Sequence, residues 1–143
     1  MLSTKDIQKL FFIMQSRYGN KWTAVYDDPE IAAIALREWF RGLEQFPREW
    51  IRHGLDSWDD DWPPSLPQFQ KACLPTPQSL GYDVEYEVLR RASGGDMYGF
   101  RRMPRVQTEK LLKSAREALM AEYTQDMIQN PQKYNEMQLE HDG

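Results

Sequence analysis

Cysteine is nearly absent from these 143 residues: Cys73 stands alone. An internal disulfide is therefore excluded, and no thiolate metal cluster can form. Histidine is almost as scarce, with only His53 and His141, far apart in the chain. That leaves no zinc ligand set and no Ser-His-Asp triad to assemble. The phosphate-binding pattern GxxxxGK[ST] is missing, as are GxGxxG, GxSxG and HExxH. Nothing here points to a nucleotide, a metal or a nucleophilic serine. Long apolar runs are missing too. The longest near the start is Leu10–Met14, far too short for a membrane span or a secretion signal. The chain also lacks a global positive charge; its net is −4, so any nucleic-acid-binding patch must be local. No strand alternation and no internal repeat occurs. The expectation is a non-enzymatic cytoplasmic protein with no metal or cofactor.

Aromatic residues are abundant, at 13%, although mean hydropathy is only −0.75. A compact aromatic core with polar extensions fits this balance, and the helix signals are strong. Ser3 with Asp6 starts a first helix. Ile7, Leu10, Phe11, Met14 and Tyr18 give it one apolar stripe, and Gly19 ends it. Asn20–Asp28 reads as a loop whose Trp22 and Tyr26 fold back over the core. Asp28-Pro29-Glu30 starts a second helix running to about Gln45. Leu36, Trp39, Phe40 and Leu43 form its apolar face, continued upstream by Ile31 and Ile34. A third helix spans about Arg48 to Trp58, with Trp50, Ile51, Gly54, Leu55 and Trp58 inward. Asp59-Asp60-Asp61 reads as a solvated acidic loop. The five tryptophans read as core and near-core packing.

The least ordinary stretch is Trp62-Pro63-Pro64-Ser65-Leu66-Pro67-Gln68-Phe69, continuing to Cys73 and Pro75. The prolines hold an extended approach. Ser65 and Gln68 have capping-box spacing, and Pro67 lies in the first turn where its missing N–H costs nothing. Leu66, Phe69 and Cys73 then share one face of a two-turn helix that Pro75 and Pro77 stop. Cys73 reads as a small buried hydrophobe.

Beyond Thr76 the chain turns more polar. Asp83–Ala92 forms a helix and Ser93-Gly94-Gly95 breaks it. Met97–Pro104 shows no helical period and reads as a loop. Val106–Ile128 is a long helix with a thin apolar strip of Leu111 or Leu112, Ala115, Ala118, Leu119 and Tyr123. Asn130-Pro131 ends it, and a polar tail follows. The expected organisation is all-α: a four-helix domain over 3–75, a helical, partly extended arm over 76–130, and a flexible tail over 131–143.

One local charge asymmetry stands out. Between Arg90 and Arg116, eight cations face only Asp96 and Glu109, an excess of six positive charges. Arg101, Arg102, Arg105, Lys110, Lys113 and Arg116, with Tyr98 and Phe100, are the candidate partner-binding residues. They could track a phosphate backbone with base stacking, or pair with an acidic protein surface. They could also be ordinary solvated charges.

Taken in order, Phe11-Phe12 with Met14, Tyr18-Gly19-Asn20-Lys21-Trp22-Thr23, Trp39 with Leu43, and Trp50 with His53-Gly54-Leu55 precede the proline stretch ending at Phe69 and Cys73. This succession, over about residues 7–75, resembles the replication protein P family of lambdoid phages and prophages, the non-ATPase helicase loaders. The resemblance implies binding to the bacterial replicative helicase of the DnaB type. It implies delivery of that helicase to an origin through a phage origin-binding protein, without nucleotide hydrolysis by the loader. It also implies that Trp62, Pro63, Pro64, Ser65, Leu66, Pro67, Phe69 and Cys73 are scaffold, with helicase contacts in the later half. An inhibitor that sequesters the helicase or its loader, and a DNA-binding accessory protein, are the other readings.

Overall fold

The structure, a computed structural model, describes residues 2–142. It is all-α, with no strand among the described residues. The chain divides between Leu74 and Pro75 into two compact units.

The N-terminal unit holds α1 (Thr4–Tyr18), α2 (Asn20–Thr23), α3 (Pro29–Leu43), α4 (Arg48–Ser57) and α5 (Leu66–Cys73). That is five helices where four were expected, the extra one being a single turn. Three of the starts are built from the local signals in the sequence. Ser3 and Asp6 close a reciprocal box: the Asp6 N–H donates to Ser3 Oγ and the Ser3 N–H to Asp6 Oδ2. Asp28 Oδ1 accepts from the Glu30 N–H at 2.9 Å, with Pro29 in the first turn. Ser65 and Gln68 form a second reciprocal box. Gly19, at φ 56°, lets α1 stop and α2 begin without a gap. That turn carries Trp22 into the core at 4% exposure.

The start of α1 lies beside the end of α3. The Leu2 N–H donates to the Glu44 carbonyl at 3.2 Å, and Arg48 pairs with Asp6 at 3.3 Å. The two helices are therefore antiparallel, with α2 and Tyr26 closing the other end. Ring contacts thread the core from Phe11 to Trp22 (5.1 Å), Trp22 to Trp39 (5.9 Å) and Trp39 to Phe69 (5.6 Å). Phe69 and Cys73 are fully buried, and Cys73 packs against Gly54 of α4. Burial pushes the Cys73 thiol well up from its ordinary range, so it is an inert filler of the α4–α5 seam.

Two expectations fail here. Ile31 and Ile34 point to solvent, at 49% and 56% exposure. With Trp39 and Leu43 turned inward, a 100°-per-residue helix puts Ile34 about 160° round from their mean direction, on the far side, and Ile31 about 100° round, on the flank. Trp62 is 63% exposed. Its backbone carbonyl accepts from Trp58 Nε1, and the Lys21 ammonium sits 4.7 Å over its ring, so it covers the unit rather than filling it.

The C-terminal unit comprises a 3-10 turn (Gln78–Leu80), α6 (Val84–Ser93), α7 (Met97–Arg102), α8 (Arg105–Gln129) and α9 (Pro131–Asp142). It has its own core. Val84 and Val88 of α6 meet Leu119 of α8, flanked by Tyr82, Leu112, Ala115, Met120 and Tyr123. The strip expected on the long helix is the one used, except that Ala118 faces solvent. The expected arm is thus a second packed unit. The segment expected as a flexible tail is α9, apart from Gly143, which lies outside the described residues. Buried Tyr134 anchors it, its hydroxyl donating to Asp126 of α8. The expected loop at Met97–Pro104 is also helical: Asp96 Oδ1 accepts from the Gly99 N–H at 3.0 Å and caps α7.

Candidate interaction surfaces

The basic segment is sorted by structure into spent and unspent charge. Arg91 makes a two-pronged pair with Glu122 of α8 (3.0 and 2.7 Å) and also reaches Glu87. Arg90 forks onto both Glu87 oxygens, at 3.0 Å to Oε2 and 2.6 Å to Oε1, the oxygen it shares with Arg91. Arg116 forks onto Glu85 of α6 at 2.6 and 2.7 Å. Arg105 pairs with Glu109 one turn on. Arg116 therefore bridges α8 to α6, with its charge already matched within the unit. Phe100 is 7% exposed and packs inward, so it cannot stack on a partner.

Arg101, Arg102, Lys110 and Lys113 remain, all exposed. No ion pair engages them among the described residues. Arg102 stands over the Tyr98 ring at 5.1 Å and donates to its hydroxyl at 2.9 Å. Tyr98 is 71% exposed and Val106 66%. On α8, Val106, Lys110 and Lys113 recur at i, i+4 and i+7, on the side away from Ala115 and Leu119. Glu117 continues that row with the opposite sign. The result is a cationic face on α8 and, on α7, a preset Arg–Tyr pair.

The forked pairs carry a pH signature. Hydrogen bonds from Arg90, then Arg91, hold the Glu87 carboxyl down at about 2. Arg116 lowers Glu85, and Arg91 lowers Glu122. A carboxyl depressed by folding contributes stability above its ordinary value of about 4.3, and loses it as pH falls from there towards the depressed value. The C-terminal unit should thus weaken between about pH 4.5 and 2, less so in high salt. Side-chain carboxyl NMR should give Glu87 a midpoint near 2 in the folded chain; a midpoint near 4.3 would contradict the pairing.

A second surface was not legible as such in the sequence. Between α1 and α3, closed by α2, lies an apolar cavity of about 440 Å³. Phe11, Phe12, Trp22, Tyr26, Ala33 and Leu36 line it. Phe12, near the middle of α1, is 70% exposed at its mouth. Phe12 follows Phe11 directly, so when Phe11 joins the aromatic core Phe12 is turned 100° outward. That offset was the available signal. The C-terminal unit has a groove of about 550 Å³ between α6, α8 and Tyr134, but its charged walls are the Glu87, Arg91, Glu122 and Asp126 groups already paired with one another or with neighbours.

Among the described residues no cluster of His, Cys, Asp or Glu is disposed to hold a metal ion, and no helix is long and apolar enough to cross a membrane. No known protein family, curated protein or solved structure matches the chain.

Proposed function

We propose that this chain is a cytoplasmic phage or prophage replication protein that binds the bacterial replicative helicase of the DnaB type and takes part in its loading at an origin. The succession of aromatic and proline motifs through the N-terminal unit supports the family. The observation that carries the binding role is the unspent cationic charge: Arg101 on the short α7, and Lys110 and Lys113 on the long, packed α8, have no acid paired with them among the described residues. Such a face speeds and orients encounter with an acidic protein surface, while exposed Tyr98 and Val106 supply apolar anchorage. The action is stoichiometric. A binder that prefers one state of the helicase ring shifts the ring towards it, with no bond made or broken.

Charge reversal tests the face. Lys110→Glu with Lys113→Glu should slow association with the helicase about tenfold at low salt and leave far-UV circular dichroism unchanged. Unaltered association would remove this face from the interaction. An unwinding assay on covered single-stranded DNA separates loading from inhibition. Unwinding that appears only with this chain present supports a loader; a helicase silenced under every condition supports a sequestering inhibitor. The Arg102–Tyr98 pair favours a second reading, an accessory protein that stacks on single-stranded DNA. Burial of Phe100 leaves that reading one aromatic platform, and binding falling steeply with salt would be its mark.

A further inference from the structure

The apolar groove between α1 and α3 has a charge pattern that the helicase reading does not use. Because the helices are antiparallel, the end of α1 and the start of α3 share one end of the groove. Asp27, Asp28 and Glu30 are exposed there, directly after the lining residue Tyr26. At the opposite end, Lys5 and Lys9 are exposed on α1, and Arg37 follows the lining residue Ala33 by one turn on α3. Glu44 also lies at that end, while Asp6 is taken by Arg48 and Arg41 by Glu38. Arg17 and Lys21, also near the acidic end, donate to the Leu55 and Asp61 carbonyls. One end is thus predominantly acidic and the other predominantly basic. Between them lie the apolar cavity and, at its mouth, Phe12.

This arrangement is its own complement. A two-fold axis through the middle of the groove turns a second copy end for end. Each acidic end then meets a basic end, and both contacts form at once. The same operation sets Phe12 of each copy, central on α1, against the groove of the other. A partner of uniform charge would meet net repulsion at one end; a second copy meets net attraction at both. We propose that the α1–α3 groove is a self-association surface, through which two copies of this chain form a two-fold dimer with Phe12 as the mutual anchor. The patch is confined to the faces of two 15-residue helices, so the dimer belongs with small interfaces that dissociate on dilution.

Sedimentation equilibrium of the full chain tests this without reference to the helicase. One variant reverses the basic end (Lys5→Glu, Lys9→Glu, Arg37→Glu). A second reverses the acidic end (Asp27→Lys, Glu30→Lys), keeping Asp28 as the cap of α3. Tryptophan fluorescence and circular dichroism check that both fold. The wild type should pass reversibly from monomer to dimer with concentration. Each variant alone should dissociate about tenfold more readily, because like charges meet at both ends. An equimolar mixture of the two should recover a heterodimer close to wild-type affinity. A wild type monomeric at every soluble concentration overturns the proposal, and so does a mixture that stays monomeric while the wild type dimerises. If the chain is monomeric and Phe12→Ser instead abolishes helicase capture, the groove belongs to the partner.

Discussion

Replacing Phe69 by Ala should cost the N-terminal unit about 3–5 kcal/mol, the range for emptying a fully buried aromatic site. Phe69 has no exposed surface, packs at a tilt against Trp39 with ring centroids 5.6 Å apart, and lies on the face of α5 that also carries Cys73. Its neighbours are held from several directions: α5 by its capping box and flanking prolines, Trp39 by Phe11 and Trp22. Collapse into the void is therefore limited, and the cavity contribution to the loss stays large. A domain of this size has only about 5–15 kcal/mol to lose. The readout is unusually clean, because Trp22, Trp39, Trp50, Trp58 and Trp62 all lie before Leu74 and the C-terminal unit has none. Thermal unfolding followed by tryptophan fluorescence should shift down by more than about 10 °C. A shift of a degree or two would mean that α5 is not the closing piece of this core. Loss of helicase binding with stability unchanged would make the segment a contact surface instead.

Replacing Gly54 by Val should be the next most damaging change. A Cβ at Gly54 would stand 2.4 Å from Cys73 Sγ and 3.3 Å from the Cys73 backbone. Cys73 is fully buried, so its sulfur has nowhere to swing, and α4 and α5 would have to move apart. Overpacking of this kind costs about 1–3 kcal/mol, occasionally more. Gly42 of α3 serves as the internal control. Its Cβ would meet the ends of the half-buried Gln70 and Leu66 side chains, which can give way. Gly42→Ala should therefore be close to neutral, helped by as much as about 1 kcal/mol of helix propensity. Tryptophan-monitored denaturation of the two variants should separate them clearly. Equal effects would show that the α4–α5 seam is looser than its geometry implies.

Much of the fold was legible because its signals are local. Ser3 with Asp6, Asp28 with Pro29, and Ser65 with Gln68 each settle a helix start within four residues. The stripe of Ile7, Leu10 and Met14 is read directly from spacing. Legibility failed where an element is too short to show a period, as in α2 and α7. In α7, Tyr98 and Phe100 look equivalent in the sequence, and only the helix set by Asp96 turns one outward and the other in. It failed again where the deciding contact is remote. Arg116 and Glu85 are 31 residues apart, as are Arg91 and Glu122, so no local reading distinguishes their spent charge from the free charge of Lys110 and Lys113. Ile31 and Ile34 misled for a related reason. They are apolar, but they sit on the face of α3 that no neighbouring helix covers. The apolar groove was illegible because it is an absence of packing between two helices, each of which has an ordinary pattern.

Size-exclusion chromatography with light scattering tests the proposed stoichiometric partnership with the replicative helicase. Purified DnaB-type hexamer is mixed with the full chain at low and at moderate salt. The account predicts a complex of defined stoichiometry that weakens as salt rises, and that weakens further when Lys110 and Lys113 are reversed. A helicase that elutes unchanged beside the free chain at low salt, with both proteins folded, would contradict it.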